Sequence, residues 1–180
     1  MKLVKDPLLS FANALLLLFI GAMGFFAVPF ALGGPAALIF KERIVVEFTK
    51  NGVADGAQIF PTVGFGLVAL AALLALGIYF LVLLRRIVNS VGEGDPFAPV
   101  NARRLSRMGW TALAGQLLSL PVGGAVVWTA KILADEPEKV QLDDDFGFSG
   151  SGILLVLILF ILARVFRKGA EMREELEGTV

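Results

Sequence analysis

Long apolar blocks alternate with short polar connections along this 180-residue chain. Four blocks carry no charged residue: 7–40, 62–84, 108–130 and 146–163. A helix needs about 20 predominantly apolar residues to cross a bilayer core of about 30 Å, because each residue adds about 1.5 Å. The pattern therefore predicts an all-α membrane protein with four transmembrane helices, forming a single domain over 1–180. We expect the spans at about 9–32, 62–84, 108–130 and 147–165.

Lysine and arginine are concentrated on one side of the predicted bundle. The connection between the second and third spans carries Arg85, Arg86, Arg103, Arg104 and Arg107. The two ends of the chain are also basic, with Lys2, Lys5, Arg164, Arg167, Lys168 and Arg173. Because short cytoplasmic connections are enriched in lysine and arginine, we expect cytoplasmic N- and C-termini. The loop 85–107 and the tail 166–180 are then cytoplasmic, and the loops 33–61 and 131–146 lie outside.

The first outer loop carries signals of extended structure. Gly33, Gly34 and Pro35 are expected to end the first helix. Several short pieces favour strands and a turn: Ile44–Phe48, Asn51-Gly52, Gln58–Phe60 and, in the second outer loop, Val140–Leu142. They predict a small extracytoplasmic β-hairpin or sheet. A lone hairpin would be only marginally stable, which favours a sheet that includes the third strand. An irregular loop with one short strand is the alternative.

The composition narrows the chemistry. Hydrophobic residues make up 57% of the chain, above the 45–50% or so of soluble domains. The chain has no cysteine and no histidine, so it lacks the commonest metal ligand and the commonest general base. No combination of nucleophile and base is visible. We therefore expect no enzymatic activity, no metal and no cofactor.

Polar residues inside the four uncharged blocks are few. Charged groups within the bilayer usually mark pumps and coupled transporters, so their absence from these blocks argues against those classes. The intramembrane polar residues singled out are Asn13, Gln116 and Ser119. Asn13 and Gln116 are predicted to hydrogen-bond between helices. A ligand contact by Gln116 is the alternative.

The connection between the second and third spans has internal order. Gly92, Gly94 and Pro96 mark a turn, and from about Val100 a helix is predicted to run directly into the third span. On this helix Arg103 and Arg107 share one face, with Arg104 beside them. That face is a docking surface for a partner or for anionic lipid, or it reflects only the enrichment of basic residues in the cytoplasm.

The tail predicts a continuation of the fourth span as an amphipathic helix ended by Gly178. A narrow apolar stripe runs along it: Val165, Gly169, Met172 and Leu176. Opposite charges recur four residues apart, at Arg167–Glu171 and at Arg173–Glu177. The acidic end of the tail is expected to face the arginines of the loop. Leu105 and Met108 of this chain, or another protein, would cover Met172 and Leu176.

Two stretches carry a family resemblance: "GDPFAPVNARRLSRMGW" after the second span and "ARVFRKGAEMREELEGTV" at the end of the chain. Together they resemble a family of small four-span bacterial membrane proteins catalogued as domain of unknown function 2975. The resemblance implies a non-enzymatic protein of the bacterial cytoplasmic (inner) membrane. It also implies a partnership with a small helix-turn-helix regulator of the Cro/C1 type, which the membrane protein would hold at the membrane.

The leading hypothesis is therefore a membrane regulator that binds or restrains a cognate transcription factor, with no direct contact to nucleic acid. The candidate partner-binding residues are Asp95, Phe97, Asn101, Arg103, Arg104, Arg107, Met172, Leu176 and Glu177. The alternative is a binding or transport module for a lipid or apolar ligand in a cleft between the first and third spans. Besides the lipid bilayer, a second copy of the chain is left open as a partner.

Overall fold

The computed structural model describes residues 7–50, 56–133 and 149–177. These residues form five helices and no strand: α1 (Pro7–Ile39), α2 (Lys41–Lys50), α3 (Gly56–Gly92), α4 (Pro99–Leu133) and α5 (Gly150–Glu177). Four of them are long and apolar enough to cross a membrane: Pro7–Ile39, Phe60–Gly92, Pro99–Ile132 and Gly150–Leu176. The predicted all-α class with four membrane-spanning helices is confirmed in this respect.

The expected end of the first helix is wrong. α1 continues through Gly33, Gly34 and Pro35 as far as Ile39. In a bilayer an interrupted helix would leave backbone groups without water to bind, so glycine and proline are tolerated there more readily than in a soluble helix. The glycines also serve packing, because a Cβ on Gly34 would lie only 2.5 Å from Cγ2 of Val68 in α3. Their small size lets the two backbones approach.

The predicted extracytoplasmic strands are also wrong where the structure describes them. Ile44–Phe48 lies within α2, and Gln58–Phe60 lies within α3. Glu42 in the first turn of α2 and Lys50 in its last turn complement the helix dipole. These charge–dipole interactions favour a helix for this segment. A preference of residues for β structure takes effect only within a sheet. Asn51-Gly52 and Val140–Leu142 lie outside the described residues.

The helical predictions for the two polar stretches are confirmed. α4 begins at Pro99, one residue before the expected start, and runs without a break into the third span. Proline suits this first helical position because it has no N–H to leave unpaired there. α5 continues from the fourth span to Glu177. Gly178, expected to end it, lies outside the described residues.

The chain divides into two compact units. Within the described residues, unit 1 comprises 7–23, 76–114 and 150–177, and unit 2 comprises 24–50, 56–75, 115–133 and Ser149. The core of unit 1 joins three helices through Leu83, Ile87, Leu105, Met108, Leu159 and Ala163. This core fixes α3, α4 and α5 together at the end of the unit where α3 turns into α4.

Candidate functional site

The turn between α3 and α4, residues 93–98, closes α3 with a specific backbone motif. Gly94 adopts a φ of 87°, which side-chain-bearing residues rarely do. Its N–H donates to the carbonyl of Val91 at 3.0 Å, and the Asp95 N–H donates to the carbonyl of Ser90 at 3.1 Å. This pair of bonds around a left-handed glycine is the Schellman motif. The direction in which the chain leaves α3 is therefore fixed by the backbone.

Asn101 ties the two helices and the turn together from inside. Its side chain is fully buried, with 0% exposed. Its Nδ2 donates to Oγ of Ser90 at 2.7 Å and to the carbonyl of Pro96 at 3.0 Å. Ser90 in turn donates to the carbonyl of Ile87 at 2.8 Å. One amide thus links the last turns of α3, the connecting turn and the start of α4.

Arg104 completes this network rather than facing outward. Its Nη1 donates to Oδ1 of Asn101 at 2.9 Å and to the carbonyl of Arg86 at 3.0 Å. This contact joins α4 to the backbone of α3, six residues before the end of that helix. Arg103 and Arg107 are exposed. The structure thus separates the three predicted arginines into one that holds the turn and two that face outward.

The turn also holds α5. Arg173 donates from Nη1 to Oδ1 of Asp95 at 2.7 Å, with side chains 52% and 46% exposed respectively. The Phe97 ring lies 5.3 Å from the Phe166 ring, centroid to centroid. It also lies against Gly169, where an added Cβ would sit 2.8 Å from Cδ1 of Phe97. Asp95 and Phe97 of the turn therefore both contact α5.

The tail contacts differ from the sequence predictions in their partners. Lys168, rather than Arg167, pairs with Glu171 at 3.2 Å. Acidic residues of the tail were expected to face arginines of the loop. The ion pair between them has the opposite arrangement, since Arg173 of the tail bonds to Asp95 of the turn. The side chain of Glu177 lies outside the described residues. The roles of Ser90 and Gly169 were not predicted from the sequence, although a glycine inside a helical pattern is itself a signal of close packing.

The apolar stripe of the tail is only partly covered. Gly169 faces Phe97, whereas Met172 is 50% and Leu176 is 72% exposed. Leu105 and Met108, expected to cover them, lie instead in the buried core of unit 1. That expectation is wrong because these two side chains are already used to join α3, α4 and α5.

The intramembrane amides make hydrogen bonds within each unit. In unit 1, Oδ1 of Asn13 in α1 accepts from Nε of Arg85 in α3 at 2.7 Å, which is an interhelical bond as predicted. In unit 2, Oε1 of Gln116 in α4 accepts from the N–H of Ser149, just before α5, at 3.3 Å. Ser119 bonds within its own helix, donating to the carbonyl of Gln116 at 2.7 Å.

Unit 2 contains an apolar cleft of about 460 Å³ between α3 and α4. Its walls are aliphatic apart from two threonines, and it is lined by Thr62, Gly66, Leu70, Val122, Val126 and Thr129 among others. The alternative hypothesis placed a cleft between the first and third spans, whereas this one lies between the second and third. Gln116 does not line it. Across the described ranges, no group of three or more acidic side chains is arranged to hold a metal ion.

Four helices long and apolar enough to cross a membrane indicate a multi-pass membrane protein. Within the described residues, the α3–α4 turn carries a network of polar contacts and holds the tail helix. The chain belongs to the family described as "Protein of unknown function (DUF2975)", whose model matches residues 10–180. Neither the curated proteins nor the solved structures give a match to this chain.

Proposed function

We propose that this protein is a non-enzymatic membrane regulator that binds and restrains a cytoplasmic protein partner. The docking platform is the α3–α4 turn together with the tail part of α5. In this proposal the protein lies in the bacterial inner membrane with both termini in the cytoplasm. The partner is a Cro/C1-type helix-turn-helix regulator, the class that the family resemblance implies.

The observation that carries the proposal is the construction of the turn. A simple connector between two membrane helices needs no buried amide, yet Asn101 makes hydrogen bonds to α3, to the turn and to Arg104. The turn then holds α5 through Asp95 and Phe97. Buried polar networks that are fully satisfied make a local structure rigid. A rigid polar platform is what a protein partner needs for specific recognition.

The exposed surface of the tail defines the chemistry of the partner. Met172 and Leu176 are exposed beside the exposed acidic residues Glu171, Glu174 and Glu175. The exposed cations Lys168 and Arg173 lie among them, so a partner surface with an apolar pocket and a rim of both charges would be complementary to this tail. Arg103 on α4 is an additional exposed cation for an acidic group of the partner.

A pull-down of the purified regulator by this protein in mild detergent tests the docking surface. We expect Met172→Asp/Leu176→Asp to reduce recovery at least tenfold, because truncating or charging central apolar anchors removes most of the binding energy. Val46→Asp is the matched control, since Val46 in α2 is 50% exposed. Equal recovery with the double variant and with the control would refute docking at the tail.

The orientation has its own test, which the absence of cysteine makes simple. Single cysteines are introduced by Glu42→Cys in α2 and by Glu175→Cys in α5. A membrane-impermeant maleimide added to intact spheroplasts should label the first and should label the second only after permeabilisation. The reverse pattern would place the tail outside and contradict a cytoplasmic partner.

The cleft in unit 2 supports a second candidate function, the binding of a lipid or apolar molecule. Its volume of about 460 Å³ is within the range of small-molecule sites, about 300–1,000 Å³. Ala125→Phe would fill the cleft from α4. Loss of a co-purified apolar molecule in native mass spectrometry of this variant would support the candidate, and an unchanged spectrum would count against it.

A further inference from the structure

Besides the α3–α4 turn, unit 1 contains an aromatic pair that bridges α4 and α5. The Trp110 and Phe160 rings meet edge to face, with centroids 5.4 Å apart and planes at 76°. Phe160 lies against the backbone of α4, because a Cβ on Gly109 would be 3.1 Å from two of its ring carbons. Trp110 is nevertheless 62% exposed. The pair is thus held in place on one side and open on the other.

Two exposed arginines lie one helical turn from this pair, on the side toward the α3–α4 turn. Arg107 precedes Trp110 by three residues on α4, and Arg164 follows Phe160 by four residues on α5. Residues three or four apart share a helix face. Since the two aromatic rings touch, the faces of α4 and α5 that carry the arginines adjoin the same surface. Both arginines are exposed.

The order of these groups is that of a membrane interface. Tryptophan prefers the level of the lipid headgroups, and arginine just beyond it reaches the phosphates. The guanidinium group binds phosphate oxygens with parallel N–H donors.

We propose that Arg107 and Arg164, with Trp110 and Phe160 beneath them, bind the headgroup of an anionic phospholipid. The two guanidinium groups contact the phosphate, and the upper part of an acyl chain lies along the aromatic pair. This site is separate from the docking platform for a protein partner. It does not depend on that proposed function, because its ligand is part of the bilayer.

The fluorescence of Trp110 reports on this site directly. The chain has two tryptophans, so Trp128→Phe leaves Trp110 as the only one. The protein is reconstituted in phosphatidylcholine bilayers, and brominated phosphatidylglycerol or brominated phosphatidylcholine is titrated in as quencher. We expect half-maximal quenching at a lower mole fraction of the anionic lipid. Equal quenching by both lipids would overturn the proposal.

Further variants of the Trp128→Phe protein test which residues cause the preference for anionic lipid. Arg107→Gln/Arg164→Gln should reduce it by roughly fivefold for each arginine removed, the usual effect of one basic residue at an anionic surface. Arg107→Lys/Arg164→Lys keeps the charge but loses the parallel donors, so it should retain more of the preference than the glutamine variant and less than the original protein. This partial retention would also show that the loss is not due to misfolding. Arg43→Gln/Lys131→Gln removes the same charge from exposed positions of unit 2 and should leave the preference intact.

Three results would overturn the assignment of the site. An equal loss in the unit 2 control would reduce the effect to net charge. Competition by millimolar inorganic phosphate would indicate a site for a soluble anion. An unchanged lipid preference in Arg107→Gln/Arg164→Gln, with weaker recovery of a protein partner, would assign these arginines to protein binding.

Discussion

Replacing Asn101 with alanine removes the centre of the α3–α4 network and should destabilise the protein by about 3 kcal/mol. The buried side chain makes three hydrogen bonds, to Ser90, to Pro96 and from Arg104. Each is worth about 1 kcal/mol net, and a bond to a charged group somewhat more. Ser90 and Arg104 keep a second partner, but the carbonyl of Pro96 loses the amide. The better helix propensity of alanine offsets only about 0.5 kcal/mol.

Equilibrium unfolding in mixed micelles of a mild detergent and dodecyl sulfate measures this difference through tryptophan fluorescence. Asn89→Ala is the control, because Asn89 is an exposed residue of α3 close to the same turn. An exposed substitution of this kind should change the free energy of unfolding by no more than about 0.5 kcal/mol. If the two variants differ by less than about 1 kcal/mol, the amide network does not hold the turn.

Two further changes test the contact between the turn and α5. Gly169→Ala should be less stable than Gly92→Ala by about 1–2 kcal/mol in the same unfolding assay. The reason is that only the Gly169 variant places a Cβ against the Phe97 ring. Equal stabilities would show that the ring moves aside freely. In a double-mutant cycle, Asp95→Ala and Arg173→Ala should couple by only about 0.2–1 kcal/mol, since the pair is about half exposed, and a coupling above about 2 kcal/mol would contradict that assessment.

The membrane-spanning helices could be predicted because their signal is long and uninterrupted. The ends of the elements were predicted less well, although the start of α4 was placed within one residue. A glycine–proline sequence ends most helices in water, but α1 passes through Gly34 and Pro35, because the membrane penalises an open backbone. The run Ile44–Phe48, rich in β-branched residues, was predicted to be a strand but forms part of α2. A preference for β structure depends on the surrounding sheet, so it has little effect without a neighbouring strand.

For the candidate site, the sequence indicated which residues are exposed better than which residues contact one another. Helical spacing placed Arg103 and Arg107 on one face, and both are exposed. Spacing could not show that Arg104 turns inward, because that depends on a contact with the Arg86 carbonyl of another helix, 18 residues earlier in the chain. It also could not show that Asp95 meets Arg173, since 78 residues separate them.

The contacts of Asn101 have a consequence for the order in which the protein assembles. They join residues 11 and 5 positions apart, and the Arg104 contact to α3 spans 18. All of them lie within the hairpin of α3 and α4, so they are available to a nascent chain before α5 has been synthesised. Short loops close at low entropic cost. The α3–α4 hairpin can therefore form its own contacts before α5 is synthesised. When α5 then packs against the turn, Asp95 and Phe97 are already in position to contact it.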